Sequence, residues 1–286
     1  MKRYRLLQPA KAMIILRKNR IILFLLLFLS IPVPEGMADD ETKVLTIGIF
    51  PRRNTEVTAK IFTPLASYLS EKLKIKVKLE TASDFATFWQ RVSQKRYDLV
   101  HYNQYHYIRS HAEFGYQVIL KNEEFGHDRI AAAILVRKDN DIKTLSDLKG
   151  KIIVFGGGKK AMISYIATTN LLRRAGLNQG DYFEQFSLTP PKAVIATYYR
   201  QAAAAGASNY VLELPRLQKE IDTTKMVYLA KSDSYAHLPW ATSNKVSPKL
   251  QGQLQFLLSD LKSHAAGKKI LTQARLTDLK IARDEE

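Results

Sequence analysis

From residue 43 to 103 the chain alternates strand-like and helix-like runs, and that alternation narrows the possible folds more than any other feature. KVLTIGIF (43–50) is apolar, alternating and β-branched, which predicts a strand. In the following PRRNTEV, Thr55, with Thr58 also in range, is the expected helix N-cap. Ile61, Leu65, Tyr68, Leu69 and Leu73 then recur at helical spacing, predicting an amphipathic helix over 56–73. IKVKLET (75–81) reads as a second strand. ASDFATFWQRVSQKR reads as a helix with Phe85, Phe88, Trp89 and Val92 on one face, and YDLVHYN (97–103) as a third, short strand. A β-α-β-α-β order with short connections predicts a parallel sheet covered by helices. Ligands of such open sheets lie beyond the carboxyl ends of the strands. Here those ends carry PRRNT and YNQYHY.

A second α/β unit follows. HDRIAAAILVRKD (127–139) contains a long apolar strand. Thr144 with Asp147 three residues on is a capping-box pattern, and Gly150 is a C-terminal stop. KIIVF is the next strand, with a helix over 162–175 ended by Gly176, a strand near YFEQFSL, and a helix over 193–204 after Pro190 and Pro191. YVLEL (210–214) reads as the last strand of the unit, and MVYLAKS (226–232) carries the chain back. SPKLQGQLQFLLSDLKSH is a terminal helix with Leu250, Leu254, Leu257, Leu258 and Leu261 on one stripe, expected to pack on the first unit. IARDEE is polar and expected to fray.

The first 38 residues have a different character. Lys2, Arg3, Arg5, Lys11, Arg17, Lys18 and Arg20 precede the apolar run IILFLLLFLSIPV, and Gly36 and Ala38 supply small residues before a cut after Ala38. That is the pattern of a cleavable signal peptide over 1–38, with an uncleaved membrane anchor as the alternative. The run of roughly 13 residues is short of the ~20 that span a bilayer as a helix. Those seven cations and Glu35 carry six of the net +17, leaving +11 on the remainder. The charges are scattered, with no basic helix and no interleaved aromatic tract, so nucleic-acid binding is not expected. The chain has no cysteine, which removes disulfides, thiolate nucleophiles, zinc-thiolate sites and a lipoprotein anchor.

FGGGKKAMISYI (155–166) is the most pointed motif. A P-loop needs GxxxxGK followed by Ser or Thr, and neither the spacing nor the hydroxyl is here. What remains is a glycine turn feeding a helix N-terminus, whose unpaired N–H groups and partial positive charge suit an oxyanion. The other reading is a plain strand-to-helix turn with solvated lysines. Arg52 and Arg53 at the end of the first strand could clamp an anion in bidentate fashion, with Arg53 or Asn54 the expected contacts, or be solvated loop residues. YNQYHY could supply hydroxyl and amide donors, or bury one ring and cap a helix through Asn103. His237 and Trp240 of AHLPW are expected to pack rather than rim a cleft. His101, His106 and His111 recur every five residues, off any shared helical face, so no metal site is expected. No GxSxG or HExxH occurs, and no enzyme activity is expected.

Taken together, LTIGIFP, DLVHYNQYHY, LSDLKGKIIVFGGG and the helix after it resemble the periplasmic phosphonate-binding-protein family, the solute receptors of phosphate, phosphite and phosphonate ABC importers. The resemblance spans about 43–280 and implies a type II periplasmic binding fold, an α/β architecture of two Rossmann-like lobes joined by a two-strand hinge. It divides the chain into lobe 1 (39–127 plus 229–286) and lobe 2 (128–228), with crossings near 125–131 and 227–231. It implies a periplasmic monomer, without cofactor, capturing a small anionic ligand for an ABC permease. A membrane sensor kinase is the alternative partner. The ligand-binding residues it suggests are Arg53, Asn54 and Thr55 after the first strand and Tyr102, Asn103, Gln104 and Tyr105 after the third. In the second lobe it suggests Gly157, Gly158, Lys159, Lys160, Ala161 and Met162 at the glycine loop, with Ser208 and Asn209 beyond it. Members of the family usually carry Ser and Thr hydroxyls at that loop. Here none occurs before Ser164, so backbone N–H groups and lysine charge would meet the anion instead.

Overall fold

The computed structural model describes residues 44–286. The expected signal segment and its cleavage site lie outside the described residues. None of the described helices is long and apolar enough to cross a membrane.

The first sheet begins as the alternation predicts. Strand β1 (Leu45–Ile49), helix α1 (Thr55–Leu73), β2 (Val77–Thr81), α2 (Phe85–Ser93), β3 (Leu99–His101) and α3 (Gln104–Phe114) follow in turn. β1 lies between β2 and β3 and is parallel to both. The N-cap of α1 is Asn54 rather than Thr55. Its Oδ1 accepts from the Val57 N–H at 2.8 Å, while Thr55 is already helical. Thr58 sits inside the helix, its hydroxyl turned back onto the Asn54 carbonyl at 2.8 Å.

Strand β4 (Gln117–Glu123) completes this half and was not anticipated. The chain then crosses to the second sheet through β5 (Arg129–Arg137). The capping box is present: Thr144 and Asp147 open a 3-10 turn at Leu145–Leu148, and Gly150 takes φ +70°. β6 (Ile152–Gly156) leads into a π-helical turn (Met162–Ala167) that continues as α4 (Thr168–Arg174), so the first half of the expected α-helix is wound wider. β7 (Phe183–Ser187) and α5 (Pro190–Tyr198) follow. The expected 193–204 helix stops early because its end becomes β8 (Ala204–Ser208), paired between β6 and β5. YVLEL is not a strand: Val211–Glu213 is a 3-10 turn leading to α6 (Pro215–Glu220).

β9 (Met226–Ala236) pairs with β5 from Met226 to Ala236. The return to the first sheet therefore falls at His237–Leu238, later than the 227–231 expected. β10 (Pro239–Thr242) inserts antiparallel between β3 and β4. The terminal run is two helices, α7 (Pro248–Ser259) and α8 (Ala265–Ala274), because His264 caps a new helix through the Gly267 N–H at 3.0 Å. β11 (Asp278–Ile281) then adds an edge to β4. The tail beyond it is held rather than frayed: Tyr107 donates to Asp284, and Lys121 pairs with Glu286.

The result is two sheets, in order β11-β4-β10-β3-β1-β2 and β7-β6-β8-β5-β9. Each is apolar on both faces. Leu45, Ile47, Ile49 and Leu99 face α1, α7 and α8 through Leu65, Leu69, Leu254, Leu258 and Leu271. Val100 and Tyr102 face α2 and α3 through Phe88, Val92 and Tyr107. In the second sheet, Val154, Ala205 and Ala207 pack on Ala193, Val194 and Leu217, while Ile153 and Phe155 pack on Leu172 and Tyr182. Both sheets are mixed, and helices on both faces cover the parallel runs β2-β1-β3 and β7-β6-β8.

Candidate functional site

Loops follow the carboxyl ends of β1 and β3 in the first sheet and of β6 and β8 in the second, and Asn103 after β3 reaches the loop after β6. At the end of β6, two glycines are needed for different reasons. A Cβ on Gly156 would lie 2.2 Å from the Pro190 backbone, and Gly157 takes φ +88° while donating its N–H to Ser187 O at 2.8 Å. Gly158 has neither constraint: a Cβ there meets nothing within 4 Å. Lys159 and Lys160 are exposed, Ala161 and Met162 half-buried. The first turn of a helix has no intrahelical carbonyl for its N–H groups, so this turn presents donors at its start. Single π-helical turns at the start of or within α-helices are frequent at functional sites.

Asn103 stands opposite. Its Oδ1 caps α3 by accepting from the His106 N–H at 2.9 Å, and its Nδ2 donates to the Lys160 carbonyl at 3.2 Å. One residue thus fixes a helix start in the first sheet and touches the glycine loop of the second. Gln104 makes a second such bridge, donating from Nε2 to the Ala236 carbonyl, the last residue of β9, at 2.9 Å. His106 lies under this loop, stacked on Phe85 at 4.9 Å. Burial, then the charges of Lys160 and Arg109, hold its pKa down to about 4.

Arg52 and Arg53 behave differently. Arg52 is held by a fork on Glu124, at 2.5 and 3.0 Å, with the Glu124 side chain only 4% exposed. Burial would raise the Glu124 carboxyl, but Arg52 outweighs it and brings the pKa down to about 2. The Arg52 guanidinium is therefore already committed to an internal carboxylate. Arg53 is half-buried and has no ion-pair partner among the described residues. Burial, together with the like charges of Arg52 and Arg275, lowers its pKa to about 10. It remains a cation at neutral pH, and the carboxylate whose charge reaches it, Glu124, is already committed to Arg52.

The other residues expected at the ligand differ in how far their side chains are already committed. Tyr102 is wholly buried, its ring 5.7 Å from Phe88 and 5.8 Å from Tyr116, on the face turned away from α1. Asn54 is occupied capping α1, and Thr55 is exposed in its first turn. Tyr105 packs its ring edge-on to His106 at 5.1 Å, half-buried. Asn209 spends its Oδ1 on the Ala131 N–H at 2.9 Å, pinning the loop after β8 to β5. Ser208 is half-buried and forms no side-chain hydrogen bond among the described residues. His237 and Trp240 are fully buried, as expected of packing residues.

Sequence reasoning missed the polar chain through the two crossings. Leu238 N–H donates to His237 Nδ1 at 2.8 Å, so the imidazole proton sits on Nε2 and points at the Tyr210 hydroxyl, 2.6 Å away. Tyr210 stacks on His127 at 5.1 Å, and His127 reaches Glu213 at 3.1 Å. Trp240 Nε1 donates to Asn122 at 2.8 Å, and Asn122 donates to Glu124 at 3.1 Å. These residues are scattered from 52 to 240, so no local spacing announces them. No group of three or more His, Asp or Glu side chains is arranged to hold a metal ion among the described residues.

Comparison with known proteins agrees with this geometry. Structures of similar fold include a binding-protein component of an ABC phosphonate transporter from Pseudomonas aeruginosa (TM-score 0.69, 16% identity, 85% of this chain and 83% of that one). A Prochlorococcus marinus protein in complex with methylphosphonate aligns with TM-score 0.70 at 18% identity, covering 85% of this chain and 94% of that one. A Xanthomonas citri protein bound to ATP aligns with TM-score 0.73 at 14% identity, over 85% and 92%. At such identities these likenesses establish the two-lobed type II periplasmic binding fold. A family model for the periplasmic substrate-binding proteins of phosphonate ABC transporters matches residues 47–286, and the chain belongs to that family.

Proposed function

We propose that this protein, exported by its leader, captures a small oxyanion of the phosphonate, phosphite or phosphate type between its two sheets and presents it to an ABC permease. The observation that carries this reading is the presence of Arg53, a half-buried cation with no ion pair of its own among the described residues, after β1, together with the donor-rich start of the π-turn after β6. Asn103 already bridges the two halves at that level. Lys159 and Lys160 add charge at the rim, and Gly158 leaves the backbone open to close approach. Closure of the two halves would exclude water and strengthen each contact to the anion. The mechanism is capture without chemistry.

A thermal-shift panel on residues 39–286 with methylphosphonate, phosphite, phosphate and sulfate tests it. A ligand at 100 times its Kd stabilises the fold by about 2.7 kcal/mol. Arg53→Gln, losing a charge-assisted hydrogen bond, should weaken the responding ligand by about 1.5–3 kcal/mol. A flat panel from folded protein refutes the oxyanion reading.

A further inference from the structure

Gln104 contains an acceptor that the protein does not use. The side chain is 7% exposed, and its Oε1 is buried with no hydrogen-bond partner. The amide cannot be turned over to relieve this. Nε2 faces the Ala236 carbonyl at 2.9 Å, and reversing the group would set two oxygens against each other there. The amide bridges the first sheet to the end of β9, and the neighbouring Asn103 bridges it to the glycine loop. Oε1 therefore lies where the two halves meet. A buried acceptor left unpaired is costly, and a ligand that brings a donor removes that cost.

Building on the oxyanion reading above, we infer that Gln104 Oε1 selects an oxyanion carrying its own O–H, such as a hydrogen phosphonate or hydrogen phosphate, over one without a proton, such as a sulfonate. Cations and N–H donors attract both kinds of anion. Only the acceptor tells them apart.

Titration calorimetry with methylphosphonate and methanesulfonate, at pH values below and above the second ionisation of the phosphonate, tests this on the unmodified chain. At the lower pH methylphosphonate should bind about tenfold or more tighter than methanesulfonate. Its affinity should fall as the P–OH ionises, although the ligand gains negative charge, and a purely electrostatic site would show the reverse. Gln104→Met also removes the bond to the Ala236 carbonyl, so it should weaken both anions, but methylphosphonate by more, erasing the preference. Equal binding of the two anions, tightening of methylphosphonate at higher pH, or equal weakening of both by Gln104→Met would overturn the inference and leave the oxyanion reading standing. A folded chain that binds neither anion removes both. Should Gln104→Met not fold, the two-ligand pH series on the unmodified protein decides alone.

Discussion

Arg52 and Arg53 are adjacent and chemically alike, yet burial and partners give them opposite roles. Arg52 is committed to Glu124, a carboxylate 4% exposed, and Arg53 is left as a half-buried cation without a partner. Removing Glu124 would strand Arg52 beside Arg53 with nothing to balance either. Breaking a buried pair from one side costs roughly 3–5 kcal/mol, and the partial exposure of Arg52 puts Glu124→Ala near the lower end, about 3 kcal/mol. Urea unfolding at neutral pH measures this. Because the folded Glu124 carboxyl sits near 2 against an ordinary 4.5, its stabilisation is complete above pH 4.5 and is lost as pH falls toward 2. Glu124→Ala should accordingly match the unmodified chain most closely in that acid range.

At the scale of elements, the second sheet is built around places where a side chain cannot go. A Cβ on Gly206 in β8 would lie 2.5 Å from the Ser164 carbonyl and 2.6 Å from the Phe155 ring. The strand is small because the π-turn rests on it, and Ser164 ties that turn back to the Gly156 carbonyl. Overpacking at a site that can yield only by moving backbone costs about 1–3 kcal/mol. Gly206→Ala should therefore destabilise by roughly 2 kcal/mol and displace the start of the π-turn, weakening anion binding with it. Gly158→Ala should change stability by no more than about 0.5 kcal/mol, since its Cβ enters open space. Any effect of Gly158→Ala would appear in ligand affinity, as the added methyl intrudes on the approach to the helix start. Chemical denaturation and calorimetry on the two variants separate these outcomes.

For the whole molecule, the two crossings are coupled. His237 on the return strand is fully buried and hydrogen-bonded to Tyr210, with Glu124, Arg52, Asp128 and His127 as the charged or titratable groups around it. Burial chiefly lowers its pKa to about 4, against 6.5 for the free side chain. The unfolded chain thus binds a proton that the folded one refuses. The stabilisation is whole above pH 6.5 and drains away as pH falls to about 4. His237→Gln should reduce the loss of stability between pH 7 and pH 5 by roughly 2 kcal/mol. Unfolding curves at the two pH values check this, and an unchanged difference would assign the acid sensitivity to other groups.

How much of this was legible in the residues follows from range. The β-α-β-α-β start, the Thr144–Asp147 capping box and the glycine turn are local patterns, readable because strand alternation, helix period and capping each act within a few residues. Where the local signal and packing disagreed, packing prevailed. The alanine-rich 204–208 became the central strand β8 against helix propensity, because only small residues fit beneath the π-turn. The candidate site divided the same way. The loops were identifiable, but whether an individual side chain faces the cleft was not. Tyr102 turned into the core, Asn209 was spent on β5, and Arg52 was claimed by Glu124, 72 residues away. Short-range periodicity was enough to show two α/β halves and the loops at the ends of β1, β3 and β6. Which charges and amides are left for a ligand could be read only from the folded chain, because a side chain's spare hydrogen-bonding capacity depends on partners that folding brings from far away.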